Sequence, residues 1–487
     1  MRKLCLVLLP CLVLSLQAQV LDASLTVSDG NAASADNTFG LLLDAPSSKL
    51  YVTLCGTLAP WTSPPSTWGG WNNNDVARID LATFSQDGVA PVGLFPEDIA
   101  ITRHPNGQAR HLLVSNSTDG TVTRLNPDLS APQAIMLTPR WGGNFASVYP
   151  FGIIASADST RVYVSGTSCG NLDVIDADPA SPNFSTVIAT IAVPDMWGRP
   201  TWINSATLAI PFTTYNYDPV VGYASSSITG IKLVNVVTGN VTGTIATGSA
   251  VTWAYPSITD IVLTPAGKII GTVGYGLAPE IVEFDPATLS ISRSSLLPAL
   301  TVGLGLHGIT IDPQGKTLAL TDMLGHQVVF VDVATLQVIG TAPTGNLSQP
   351  NEVQYSPDGS RLYVSLQGMP VVQKWRALPG HELSLSTPIV ATAGQMATFA
   401  LRNLEAGLNG YVFMSLGAGP TNIGVGTVAL SWPFDLLFVA SGNPVGHSET
   451  TFVVPQGLVG LTFYFQAATV DADGGLRISN PAQVTVF

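Results

Sequence analysis

The chain has 487 residues, only 10% of them charged, with 47 glycines, 35 prolines and few stretches that read as helix, a balance that points to an all-β protein. Its formal net charge is -13 and no basic cluster occurs anywhere, which excludes nucleic acid and anionic membrane surfaces as partners.

The first residues, MRKLCLVLLPCLVLSLQAQ, join two basic residues to a 13-residue apolar run, Leu4 to Leu16, and a small residue at Ala18. That run is too short to span a bilayer and has the layout of a secretory signal over 1–18. A lipoprotein signal is the weaker reading, because Pro10 precedes Cys11 where a small residue is needed. No later stretch combines membrane-spanning length with freedom from charge and turn residues, so the mature chain is expected to be soluble and extracellular or periplasmic. Of four cysteines, Cys5 and Cys11 leave with the signal; Cys55 and Cys169 either pair in an oxidising compartment or stay as two isolated buried thiols.

From Phe39 onward one unit recurs. An apolar strand leads into a tight turn and a second strand, as in SPDGSRLYVS at 356–365, where Ser356, Pro357, Asp358 and Gly359 suit a type I turn. The turn reads HPNG at 104–107, TPAG at 264–267 and DPQG at 312–315, with degenerate versions from Asp44 and Ser156. Aligned on the preceding strand, the copies begin at Phe39, Glu97, Phe151, Thr201, Thr259, His307 and Asn351. Seven copies spaced 44 to 58 residues apart leave room for four short strands each, the signature of an array or propeller. A third strand ends in Asp before an A-T turn at Asp80, Asp285 and Asp332.

With LYVT at 50–53, VYVS at 162–165 and LYVS at 362–365, the chain resembles the YVTN-type β-propeller proteins, and the resemblance implies a seven-bladed β-propeller over 20–378. The seventh copy lacks an outer strand after VVQKWR at 371–376, and the alternating segment ASLTVSD at 23–29 is placed to supply it and close the ring. From about His381 the turn device disappears, and 381–487 reads as a small Ig-like β-sandwich. DADGG from Asp471 reads as a hairpin turn rather than a calcium loop, since further ligands are missing.

In a propeller, the loops entering each inner strand and those joining second to third strands share one face, and here those loops are the long ones. They carry Trp61, Trp68, Trp71, Trp141, Trp197 and Trp253, six of nine tryptophans, together with Tyr215 and Tyr255. Large aromatics on a rigid scaffold suit recognition of a glycan or protein ligand; alternatively the rings pack on one another. The alignment also brings Glu97, Thr201, Thr259, His307 and Asn351 to one level of the channel, with Asp98, Asp260 and Glu352 one residue later. Metal-dependent gluconolactonase-like propellers use a broadly similar set, which would make Glu97, His307 and Asn351 ligands of one divalent cation, calcium or magnesium. Asp322 fits that comparison; Leu366, its counterpart in the seventh unit, and His307 depart from it. No G-x-S-x-G, H-E-x-x-H, P-loop or C-x-x-C pattern occurs. The expectation is therefore a monomeric, non-catalytic binding scaffold without a cofactor, the alternative being a metal-dependent lactonase-like hydrolase working at the channel mouth.

Overall fold

The computed structural model describes residues 21–31, 35–57, 73–138, 149–166, 169–218, 223–249, 257–274, 279–297, 305–376 and most of 384–486. Among them strands account for nearly every regular element, and no helix is long and apolar enough to cross a membrane.

Seven antiparallel blades form a ring, each running outward from an inner strand, with blades three and four joined into one eight-stranded sheet where Met196 pairs with Phe212, and the molecule is a β-propeller. Blade one starts at Thr38–Asp44, blade two at Pro96–Arg103, blade three at Pro150–Ala155, blade four at Thr201–Asn204, blade five at Ser257–Leu263, blade six at Leu306–Ile311 and blade seven at Pro350–Tyr355. The inner strands of blades one to three and four to seven meet in chain order, and the seventh returns to the first. The ring closes as the sequence suggests: Leu21–Thr26 pairs antiparallel with Val371–Arg376, from Leu21 opposite Trp375 to Thr26 opposite Val371. Asp22 adds ion pairs to Arg376 at 2.9 Å and Arg361 at 3.2 Å, so the strand that supplies blade seven's outer edge is tied by charge as well as by its ladder.

The repeated turn works as its residues predict. The Ser356 hydroxyl bonds the Asp358 carboxylate at 2.5 Å and accepts from the Arg361 amide at 2.9 Å, while Gly359 takes φ +73°. In the degenerate copy Ser156 and Asp158 make the same bonds, and Ser159 is forced to the left-handed φ of +57° where a glycine sits elsewhere.

A second recurring device is a hydroxyl on the second strand of most blades. Thr321 accepts the Gly308 amide of its own blade at 2.7 Å and donates to the Asn351 carbonyl of the next at 2.8 Å. Ser115 bridges Asp98 to Phe151 and Ser165 bridges Gly152 to Gly198 in the same way, and Ser365 bridges Glu352 to Phe39 across the closure. The small polar residue ending each YVT-like strand is thus a stitch between adjacent blades, satisfying backbone groups that the inner-strand bulges release. Blades four and five are the exceptions: in blade four Thr229, on the third strand, accepts the Ile258 amide of the next blade at 3.2 Å, and in blade five Thr259 supplies the bond to the His307 carbonyl at 2.9 Å while the buried Thr272 hydroxyl has no partner. Gly40 shows how close the blades approach, since a Cβ there would lie 2.1 Å from the Glu97 carbonyl oxygen.

The C-terminal residues build three further sheets, one of them the two-stranded hairpin of Ala418–Asn422 and Thr427–Leu430, and the two larger ones enclose a separate core. Met396–Arg402 lies between Ser384–Ser386 and His447–Val453; Asn409–Ser415, Asp435–Ser441, Thr462–Val470 and Ala482–Val486 belong to the other sheet. Phe399 and Leu401 from the first pack with Val412, Phe463, Phe465 and Val484 from the second, which makes this part a β-sandwich. The turn from Asp471 lies outside the described residues.

Candidate functional site: the channel mouth

Each inner strand begins with a register irregularity, between Thr38 and Leu41 in blade one, Pro96 and Asp98 in blade two, Leu306 and Ile309 in blade six, and likewise in blades three, five and seven. A bulge re-aims side chains. Here it lets two consecutive residues of one strand serve the channel, so that Glu97 and Asp98, or Asn351 and Glu352, form two tiers.

The lower tier is organised around a residue that the repeat alignment missed. Blade four does not enter at Thr201, which pairs with Ala209 deeper in the blade, but three residues earlier. The Gly198 carbonyl accepts the blade-three Ser165 hydroxyl at 2.7 Å, the position that Phe39, Phe151 and Asn351 hold elsewhere. Gly198 has φ +100°, and a Cβ there would meet the Thr259 carbonyl oxygen at 2.4 Å, so only glycine fits. Arg199 follows, its amide donating to that same carbonyl at 2.9 Å. The approach is fixed by the Trp197 amide on the Pro211 carbonyl and by Lys232, which donates to the Pro194 carbonyl and lies 4.8 Å from the Phe212 ring centre.

The Arg199 side chain is 8% exposed and reaches carboxylates from three other blades: Nε is 3.5 Å from Asp98, Nη1 is 3.6 Å from Asp260, and Nη1 also contacts Glu352. The guanidinium carbon lies 5.4 Å from the centre of the Phe151 ring. None of its three nitrogens makes a well-aligned hydrogen bond, so charge rather than directed bonding holds this knot. Asp98 and Asp260 are locked by a further duty, each accepting two backbone amides, one from its own strand and one from the next blade: Ile99 and Ile153 for Asp98, Ile261 and Ile309 for Asp260. Burial pushes the carboxyls up, Asp260 to about 6, while Arg199 opposes the rise. Burial alone would lower Arg199; Glu352, Asp98, Asp260 and Glu97 outweigh it and hold its pKa above the ordinary value.

The upper tier holds Phe39, Glu97, Phe151, Thr259, His307 and Asn351. The His307 ring lies 5.7 Å from the ring centre of Phe39 and 5.9 Å from that of Phe151, spanning the channel between blades six, one and three. Burial, then the Arg199 charge, lowers its pKa to about 3, so the imidazole is neutral. Burial raises Glu97 to about 8, against the Ser117 hydroxyl and Arg199.

The sequence-predicted residues are therefore brought together in part. Glu97, Thr259, His307 and Asn351 share one level, with Asp98, Asp260 and Glu352 beneath; Thr201 does not join them. Asp322 is turned into its own hairpin, accepting the Gly325 amide and the Gln327 side chain, each at 2.9 Å. Among the described residues no group of three or more His, Cys, Asp or Glu side chains is placed to hold a metal ion. Of the two alternatives for the cysteines, Cys55 follows the second: it is a free, buried thiol donating to the Asn37 carbonyl at 3.4 Å, in a blade that has no shared edge with the blade of Cys169. The Cys169 side chain lies outside the described residues, as do Trp61, Trp68, Trp71, Trp141, Trp253, Tyr255 and the side chain of Tyr215. Trp197 is described and half-buried, two residues before Arg199.

No family model matches the chain, and no curated protein matches it. Among solved structures, a chain of Kuenenia stuttgartiensis hydrazine synthase matches with a TM-score of 0.53 at 19% identity, covering 72% of this chain and 99% of its own. The likeness is one of fold. The Myceliophteria thermophila Cps50 (Swd1) β-propeller domain gives a TM-score of 0.49 at 11% identity, covering 73% of this chain and 100% of its own. The Neurospora crassa Pan2 WD40 domain gives 0.47 at 10% identity, covering 74% of this chain and 96% of its own.

Proposed function

We propose that this chain is an exported, non-catalytic binding scaffold whose long-loop face takes an extended neutral ligand, a glycan in the first instance. The observation that supports this reading most directly is a ribbon on that face. In blade four the second and third strands, Thr207–Asp218 and Tyr223–Asn235, run 12 and 13 residues, against six each for the corresponding strands of blades one, six and seven. Their pairing continues to Asp218 opposite Tyr223, so a two-stranded arm stands on the side where the inner strands begin. That arm carries Tyr215, and the tryptophan-rich loops enter the same face. Beneath it Arg199 places a protein cation among the carboxylates that the lactonase-like reading would give to a metal, which favours recognition over the channel rather than hydrolysis within it.

Flat indole rings stack on the apolar faces of sugars while amide side chains bond hydroxyls, so a charge-poor surface can still select its ligand. A glycan array and a pull-down with the wild-type protein identify the ligand. Trp68→Ala with Trp71→Ala is then expected to cost about 2 kcal/mol or more of binding free energy, with the melting temperature unchanged. A double variant that keeps every wild-type ligand, or that unfolds, overturns the assignment. Mass spectrometry of the mature N-terminus tests export: cleavage near Ala18 is expected.

A further inference from the structure

We propose that the upper tier of the channel is a seat for a compact cation that donates N–H bonds, the ammonium ion or the head of a primary amine. Three polar atoms there are buried without a partner: Glu97 Oε2, His307 Nδ1 and Asn351 Oδ1. Their residues are 5%, 5% and 0% exposed and occupy the same register position on blades two, six and seven. Buried polar atoms almost always find a partner, so three orphans at one level of one channel point to something that supplies bonds.

What the orphans offer is settled by the bonds that their residues already make. Asn351 uses its amide nitrogen on the Phe39 carbonyl at 3.3 Å, which turns its oxygen, an acceptor only, to the channel. The other nitrogen of His307 is engaged by the Asn351 backbone, leaving Nδ1 as the lone-pair side of a neutral ring. Glu97 lies against Ser117 and presents its remaining oxygen. With Glu97 ionised the set offers acceptors only, so an anion is repelled and a ligand with several donors is matched.

Charge narrows the class further. Among the described residues Arg199 is the cation whose charge acts on the four buried carboxyls of Asp98, Asp260, Glu352 and Glu97. Burial raises the Glu97 carboxyl to about 8, so a monovalent cation seated at its oxygen stabilises the ionised form that burial opposes. The Phe39 and Phe151 rings that flank His307 suit an alkylammonium better than a strongly hydrated divalent ion. Calcium takes six to eight oxygens, and only two unpartnered oxygens are present at this level. This inference is independent of the glycan reading, which concerns the outer face.

The test uses the full mature protein at constant ionic strength and about pH 8.5, above the value of about 8 to which burial raises Glu97, so that its carboxylate is available. Melting temperature and isothermal titration are recorded with ammonium, methylammonium, tetramethylammonium, potassium, calcium and magnesium chlorides. Ammonium and methylammonium are expected to give a saturable rise in melting temperature, with no response to potassium or to tetramethylammonium, which lacks N–H donors. Tighter binding of methylammonium than of ammonium assigns the seat to an amine head; the reverse assigns it to the ion itself. Glu97→Gln, which keeps the shape and removes the charge, is expected to weaken binding about tenfold or more, the loss of one charged bond. In the wild type, the 15N resonance of His307 Nδ1 is expected to move with ammonium and stay fixed with potassium. No saturable response, an equal response to potassium, binding of calcium or magnesium instead, or an unshifted His307 resonance each overturns the proposal and leaves the orphans to water.

Discussion

Replacing Arg199 by methionine keeps much of the side-chain volume but withdraws the positive charge that Asp98, Asp260 and Glu352 share. Breaking a buried ion pair by removing one partner costs about 3–5 kcal/mol, because the remaining charge stays desolvated. For a domain of this size each kcal/mol moves the melting temperature by roughly 2 °C, so Arg199→Met is expected to melt about 6–10 °C below the wild type at pH 8. The penalty must fall with pH. Asp260 titrates near 6 in the folded chain, and Asp98 and Glu352 are also raised by burial; all three rise further once Arg199 is gone. A carboxyl whose folded pKa exceeds its unfolded value stabilises the fold while protonated and loses that contribution as pH rises through the folded pKa. At pH 5 the variant's carboxyls carry their protons and less uncompensated charge remains, so the gap to the wild type should shrink by half or more. Thermal unfolding followed by circular dichroism at pH 5, 6.5 and 8 reads this directly. A penalty that is constant across the three, or absent at pH 8, would refute the view that Arg199 acts by neutralising the knot. Arg199→Lys separates charge from shape: it keeps the first and is expected to fall between the two.

The hydroxyl stitches can be tested in pairs. Thr321→Val removes a group bonded to both Gly308 and Asn351 and should cost about 1–3 kcal/mol in urea unfolding, whereas Thr272→Val removes a buried hydroxyl with no partner and should be neutral or stabilising; equal effects would refute the stitching role. Deleting residues 21–27 should lower the melting temperature far more than trimming an unpaired terminus and promote association through the exposed edge of Val371–Arg376, which size-exclusion chromatography would detect. Asp22→Asn alone should cost about 1.5–3 kcal/mol through its two arginines, and an unchanged midpoint would show that the ladder, not the charge, closes the ring.

What was legible in the sequence was local chemistry repeated often enough to be seen. Ser356, Asp358 and Gly359 define their turn through bonds within six residues, and Ser156, Asp158 and Ser159 could be matched to them even without the glycine. The closure by Leu21–Thr26 was legible from a shortage: the seventh unit had one strand fewer than the rest. The free state of Cys55 was not, because compartment and cysteine number say nothing about which blades share an edge. Arg199 was invisible for a different reason. Blade four lacks the turn device, so its copy was aligned on the apolar alternation around Trp202, whereas the channel register is set by a glycine at positive φ and a backbone bond to Thr259. Neither leaves a periodic trace. The signal available was compositional: a lone arginine beside a proline in an otherwise charge-poor loop, four blades into a channel already furnished with Asp98, Asp260 and Glu352.

The two tiers explain why a plain repeat can host individual chemistry. The stitches use backbone groups and small hydroxyls, so they constrain the ending of the second strand and the close approach at Gly40, Gly152 and Gly308, but leave the side chain at the upper-tier position of each inner strand, within the register irregularity, free to vary. That position holds phenylalanine twice, and otherwise glutamate, threonine, histidine, asparagine and, in blade four, the glycine that admits Arg199. A change at Glu97 or His307 therefore alters what the channel mouth can bond without cutting an inter-blade stitch, whereas a change at Ser115, Ser165 or Thr321 cuts one without altering the mouth. The stitches and the proposed cation seat thus use alternate atoms of the same strands, and variants at the two kinds of position separate stability from binding.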